Sequence, residues 1–192
     1  MTALDKRFER FREKLKDPAF QQNRGLSNEV GFYIFDYDPK DELRVRNEVE
    51  NIANTSTPAT IKANVQVFNL LNIVMTIFEQ MGYSLSEAEK KDGISVVIRQ
   101  VNNVLKMGHE HNLIVQYIEE HLIRNDSPTI IFLTGVGQVF PLIRSHRVLN
   151  TLNQVIDKQP VVMFFPGKYN SLNLNIFGKL SDNNYYRAFR IG

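Results

Sequence analysis

Thr134-Gly-Val-Gly137 follows a β-branched run, Pro128-Thr-Ile-Ile-Phe-Leu133, and its two glycines leave backbone N–H groups near a helix start. Such a turn can hold an anion. A dinucleotide fingerprint would need a third glycine where Phe140 stands, and a P-loop would need Gly-Lys-Ser/Thr to close the turn. The plainer reading of Gly135 and Gly137 is a tight strand-to-helix turn that demands small residues. Pro166-Gly-Lys-Tyr169 holds a Gly-Lys pair without the earlier glycine or the following hydroxyl of a phosphate loop, so a β-turn is expected there. Phe32-Tyr-Ile-Phe-Asp36 has the form of an apolar strand ending in a magnesium-binding carboxylate, with Asp38 two residues on. No phosphate loop precedes it, and Asp36 with Asp38 reads first as a turn and helix cap.

Val139-Phe-Pro-Leu-Ile-Arg-Ser-His-Arg147 groups two arginines and a histidine within four positions. Arg144 and Arg147, three apart, are expected on one helix face beside His146, where they could clamp a phosphate, a carboxylate or a partner's acidic patch. The competing reading is a solvated face paired to the chain's own acids. Tyr169, Tyr185, Tyr186 and Phe189 with Arg187 and Arg190 make an aromatic–basic set, which fits an interface, a stacking platform for nucleic acid, or core edge strands. His109 and His111 would face apart on a helix and have no further ligand nearby, which argues against a metal site. There is no Gly-x-Ser-x-Gly elbow and no cysteine, so thiolate zinc, Fe–S clusters, disulfides and a Cys nucleophile are excluded.

The elements that must position these residues are legible from periodicity. Leu4, Phe8, Phe11 and Leu15 form one stripe of an amphipathic helix that Asp17-Pro18 should stop. Residues 31–37 read as a buried strand, and Asp38-Pro39 as the start of a helix to about Ile52, with Leu43, Val45, Val49 and Ile52 as its apolar set. Asn54–Ala59 reads as a loop, and the stretch from Val65 as a strand feeding a helix that ends near Gly82. Shorter helices are expected at about 84–92, 94–107 and 112–123. Residues 128–134, a helical stretch and 159–167 make a strand–helix–strand unit that should be parallel. The tail, 172–176 and 185–191, looks like short strands joined by a turn at Asp182-Asn-Asn184. The expected fold is one three-layer α/β domain over 1–192, with a mostly parallel sheet flanked by helices and a helical insertion at about 84–123.

Hydrophobic residues make up 43% of the 192 residues and charged residues 23%, a globular balance that argues against disorder. The net charge is +2, but residues 139–192 hold seven cations against two anions, which leaves residues 1–138 at −3. A basic third beside an acidic remainder suggests a polar partner face. The start has no apolar stretch for a signal peptide, and the longest apolar run, Val161–Phe165, is far too short to span a membrane. A soluble cytoplasmic protein with no membrane partner is expected.

The strand-turn Phe32–Pro39, the block Thr134-Gly-Val-Gly-Gln-Val-Phe-Pro-Leu-Ile-Arg-Ser-His146, the turn Phe164-Phe-Pro-Gly167 and the ending Tyr185-Tyr-Arg-Ala-Phe189 together resemble the BrxB family, small bacterial components of BREX phage-defence systems. The stretch from about Asn54 to Ile123 adds little to the likeness. The resemblance implies a non-catalytic accessory role in restricting phage DNA and supporting host-DNA methylation. It also implies association with the alkaline-phosphatase-superfamily BREX protein and with other BREX subunits, among them a methyltransferase and an ATPase, so that nucleic acid is met indirectly. It brings no cofactor and no catalytic residues. Two alternatives stay open: a degenerate nucleotide-binding domain using Thr134–Gly137, Arg144 and Asp36, or direct DNA contact through Lys168, Arg187, Arg190 and the tyrosines. The helix carrying Phe8 and Phe11 could pack on its own domain or on a second copy in a homodimer.

Overall fold

The computed structural model describes residues 1–23, 31–109, 111–144, 147–148, 151–152, 156, 158–169 and 188–192, and the backbone of 174–176 and 180–182. The chain is mixed α/β, with a parallel sheet flanked by helices and an N-terminal helix. It forms two compact units, one of residues 1–67, 123–134 and 157–192, the other of 68–122 and 135–156.

The first unit carries the sheet. Helix α1 (Ala3–Leu15) starts in a capping box, the Thr2 hydroxyl accepting from Asp5 N–H while Asp5 accepts from Thr2 N–H. Asp17 ends it but at once caps a further turn, α2 (Pro18–Gln21). Strand β1 (Phe32–Tyr37) leads to Asp38, whose side chain accepts from Lys40 N–H, a 3-10 turn (Pro39–Asp41) and helix α3 (Glu42–Thr55). Then follow α4 (Pro58–Ile61), β2 (Asn64–Asn69), β3 (Thr129–Thr134), β4 (Val161–Tyr169), β5 (Leu174–Ile176), β6 (Leu180–Asp182) and β7 (Phe189–Arg190). The parallel strands lie in the order β2-β3-β4-β1-β7, and the β5–β6 hairpin pairs antiparallel with the end of β4.

Phe11 is the centre of the core on one face of this sheet. Its ring lies 5.6, 5.5 and 5.8 Å from those of Phe35, Phe132 and Phe164, one from each of β1, β3 and β4, while Phe8 stacks on Phe35 at 4.7 Å. Val45, Val49 and Ile52 of α3 complete the layer. The alternate residues Ile34, Ile131, Leu133, Val161, Met163 and Phe165 are equally buried, which is why these strands read as unbroken apolar runs rather than alternating ones. The stripe of α1 therefore packs within its own unit.

The second unit is helical. It holds α5 (Leu70–Gln80), α6 (Leu85–Asp92), α7 (Ile94–Val104), α8 (Leu113–His121), the short α9 (Val136–Val139) and helical residues at 147–148 and 151–152. Val148, Leu152 and Ile156, spaced by four, are all buried.

Four local expectations change. Leu43 is 72% exposed, because it lies two residues from Val45 and so on the opposite side of α3. Residues 54–59 are largely helical: α3 runs to Thr55, and Thr57 with Thr60 caps α4 with Pro58 at its first position. Pro166-Gly-Lys-Tyr169 is strand rather than turn. Pro166 opposes Tyr37 of β1, and the register of β3 has already ended at Met163, so the missing N–H breaks no ladder on that side. Asp182 lies in β6 opposite Leu174 instead of in a turn, while residues 183–187 fall outside the described residues.

Candidate functional site

Ligands of parallel α/β sheets gather at the carboxyl ends of the strands, and Asp36 stands near the end of β1. Its side chain is buried, 4% exposed, and each carboxylate oxygen and the backbone carbonyl accept at least one hydrogen bond. The Arg7 guanidinium of α1 donates to Asp36 Oδ1 at 2.9 Å and to its backbone carbonyl at 2.5 Å. Arg190 Nε of β7 donates to the same Oδ1 at 2.8 Å, and the Tyr169 N–H of β4 donates to Oδ2 at 3.2 Å. Arg7 also lies 4.4 Å over the Phe35 ring and donates to the Ile191 carbonyl at 3.4 Å. Burial pulls the Arg7 pKa below its usual range, and the Asp36 carboxylate opposes that pull.

This arrangement ties three distant parts of the chain to one carboxylate. Tyr169 is buried, and its hydroxyl donates to the Ala188 carbonyl at 2.7 Å, so it belongs to the interior and holds the β7 segment from the other side. Ile191 N–H donates to Ile34 O at 3.0 Å, which continues the β7 register along β1. Asp38 is different. It is an exposed cap whose pKa is lowered by Lys40, through the ion pair at 3.0 Å and the backbone N–H.

Asp36 and Tyr169 are thus brought together, and Arg190 joins them. Arg7 was missed by the sequence reasoning, although a signal existed: it lies three residues after Leu4 and four before Phe11, bordering the apolar stripe, where a cation needs a buried partner.

The glycine turn belongs to the second unit. Gly135 adopts φ +73°, and a Cβ there would come 2.4 Å from Asn69 Oδ1. The close approach of the Asn69 side chain, which caps α5 through Asn72 N–H, accounts for the small residue. Gly137 lies inside α9, a helix of only four residues. Arg144 and Arg147 are exposed and make no ion pair among the described residues. Arg144 precedes the helical residues, its carbonyl accepting from Arg147 N–H at 3.1 Å, so the two do not share a helix face. His146, Tyr185, Tyr186 and Arg187 fall outside the described residues.

His109 is exposed in a turn, and His121 stacks on Tyr117 at 4.0 Å. Among the described residues no three His, Asp or Glu side chains are grouped to hold a metal ion, and no helix is long and apolar enough to cross a membrane. A cleft of about 500 Å³ in the first unit, lined by Gln21, Arg124, Thr129 and Lys158 among others, sits where β3 and β4 begin, at the opposite strand ends from Asp36.

Comparison with known proteins gives a consistent result. The family model described as "BREX protein BrxB" matches residues 66–191. A "BREX protein BrxB" of Bacillus cereus (strain H3081.97) is 41% identical over 197 aligned positions that cover the whole chain and 98% of that relative. Another of the same name, from Escherichia coli O9:H4 (strain HS), is 29% identical across 98% of the chain and 91% of its own length. No solved structure matches the chain. With a family model over more than half its length and a relative aligned end to end, this chain belongs to the BrxB family of BREX proteins.

Proposed function

We propose that the protein serves a BREX system in anti-phage defence as a non-catalytic adaptor, working in the cytoplasm by contact with the larger alkaline-phosphatase-superfamily subunit. Family membership supports the defence role. The state of Asp36 supports the adaptor role. Where a sheet of this kind would offer a reacting or metal-binding carboxylate, the chain's own Arg7, Arg190 and Tyr169 N–H already bond both of its oxygens. That makes Asp36 a fastening between α1, β1, β4 and the β7 segment.

The surface placed on the partner is the basic one at Arg144 and Arg147, whose guanidiniums are exposed and suited to bidentate contact with carboxylates. The test is a binding measurement with the purified phosphatase-superfamily subunit, with the native chain and with the Arg144→Glu/Arg147→Glu double variant. Binding by the native chain and a loss of about tenfold or more in the variant is the expected result. Equal binding by both moves the surface elsewhere, and no binding by the native chain overturns the choice of partner.

A further inference from the structure

The second unit exposes a different kind of surface. Helix α5 ends in a closed turn: Gly82, at φ +70°, donates to the Glu79 carbonyl at 2.9 Å, and Tyr83 N–H donates back to the Phe78 carbonyl at 2.9 Å. The chain reversal lays the Tyr83 ring 5.7 Å from that of Phe78, and the Tyr83 hydroxyl donates to Gln100 of α7 at 2.8 Å. These fixed rings, with Leu85 and the flexible Met75, wall a cavity of about 300 Å³ that is mostly apolar. Met75, Met81 and Tyr83 are 36, 54 and 39% exposed within nine residues of sequence, a concentration of apolar surface that a solvated helix end does not need.

The charged residues of this stretch of sequence have one sign. Between Lys62 and Lys90 the sequence holds Glu79, Glu87 and Glu89 and no cation. Glu79 lines the cavity, and the last turn of α5 has no basic residue to offset the negative end of the helix. An apolar pocket with a negative lip complements an apolar side chain flanked by Lys or Arg. A two-fold contact with a second copy would instead set Glu79 against Glu79.

We infer that the C-terminal end of α5 is a second docking surface, which takes a segment of another protein presenting an apolar anchor beside Lys or Arg. It goes beyond the adaptor reading by giving the adaptor two faces of opposite charge, and it rests on that reading in taking the partner from the same assembly. Met75 suits such a wall because a methionine adapts to the anchor that enters, and Met81 extends the apolar surface beside it in sequence.

The experiment expresses the tagged chain together with the other BREX subunits and measures each subunit retained on purification. The variants are Glu79→Lys and Met81→Asp, with Glu120→Lys on α8 as the control and the Arg144→Glu/Arg147→Glu variant in parallel. The expected result is that one subunit drops about tenfold with both Glu79→Lys and Met81→Asp, stays with Glu120→Lys, and stays with the arginine double variant. Raising salt should weaken retention by the native chain and narrow its margin over Glu79→Lys. Unchanged retention in both α5 variants, while subunits still co-purify, overturns the inference and leaves the adaptor reading standing. Loss of self-association in place of subunit loss makes a second copy the occupant and overturns it too. A native chain that retains no BREX subunit overturns both readings together.

Discussion

One cluster in each unit treats its side chains in the opposite way to the other: the charges around Asp36 in the first and the apolar end of α5 in the second. In the sheet unit charges near the end of β1 turn inward, and Asp36 is consumed by Arg7, Arg190 and the Tyr169 N–H. In the helical unit Met75, Met81 and Tyr83 leave apolar side chains open within nine residues at the end of α5, whereas the exposed Leu43, Val67 and Ile123 of the sheet unit lie far apart in sequence. A closed polar fastening supports a fold, since each oxygen it satisfies is unavailable to a ligand. An open apolar surface costs solubility and adds nothing to the fold, so its retention points to contact with another molecule. On this contrast, damage to the Asp36 fastening and the core beside it should be read out as stability, and damage to the exposed end of α5 as binding.

The largest effect is expected at Phe11. Truncation to Ala removes a ring that touches three strands and leaves a cavity that rigid neighbours cannot close. Urea denaturation should show a loss of about 4 kcal/mol. A loss below about 1 kcal/mol would mean that the sheet unit does not depend on α1.

Asp36→Ala comes next, at about 3 kcal/mol, because it leaves the half-buried Arg7 without its counter-charge. Arg190→Ala should cost only about 1 kcal/mol, since that side chain is 56% exposed and water replaces much of the contact. The double variant should cost clearly less than the two added together, because both remove the same bond. Simple additivity would show that the Arg190–Asp36 contact contributes nothing to folding.

Much of this fastening was readable in the sequence, but not its assembly. The strand ending at Asp36, the amphipathic α1 and the parallel pairing of β3 with β4 follow from local apolar runs and turn residues, which act over a few positions. Joining Arg7, Asp36, Tyr169 and Arg190 depends on strand order, which brings β7 beside β1 and β4 on its other side. No local pattern encodes that order. Tyr169 and Arg190 were visible as an aromatic–basic set, yet the same composition suits a surface or an interior, and only burial decides between them. The Pro166 strand was illegible for a related reason. Whether proline interrupts a ladder depends on which neighbour has already ended there.

A smaller effect tests the sheet unit by pH. Tyr37 is buried and donates to Glu42, and burial, then that hydrogen bond, raise its pKa far above the ordinary value of 10.0. The folded state therefore keeps a proton that the unfolded chain loses. The stabilisation is complete below about pH 10 and fades as pH rises beyond it, by up to about 1.4 kcal/mol per pH unit. Between pH 9 and 11 the native chain should lose more stability than Tyr37→Phe, which has no phenol to titrate. Parallel curves would place the alkaline sensitivity in other groups.

The smallest expected effect on stability is the sharpest test of the contrast. Met81 caps α5 through its backbone, while more than half of its side chain faces water. Met81→Asp keeps that backbone bonding and removes little buried area, so urea denaturation should move by no more than about 0.5 kcal/mol. An added carboxylate at the negative end of α5 accounts for a cost of that order. The same substitution should sharply weaken subunit retention, because the docking surface at the end of α5 would then carry a charge in place of an exposed thioether. A large fall in stability would mean that Met81 is part of the fold after all, and the helical unit would then be closed in the same sense as the sheet unit.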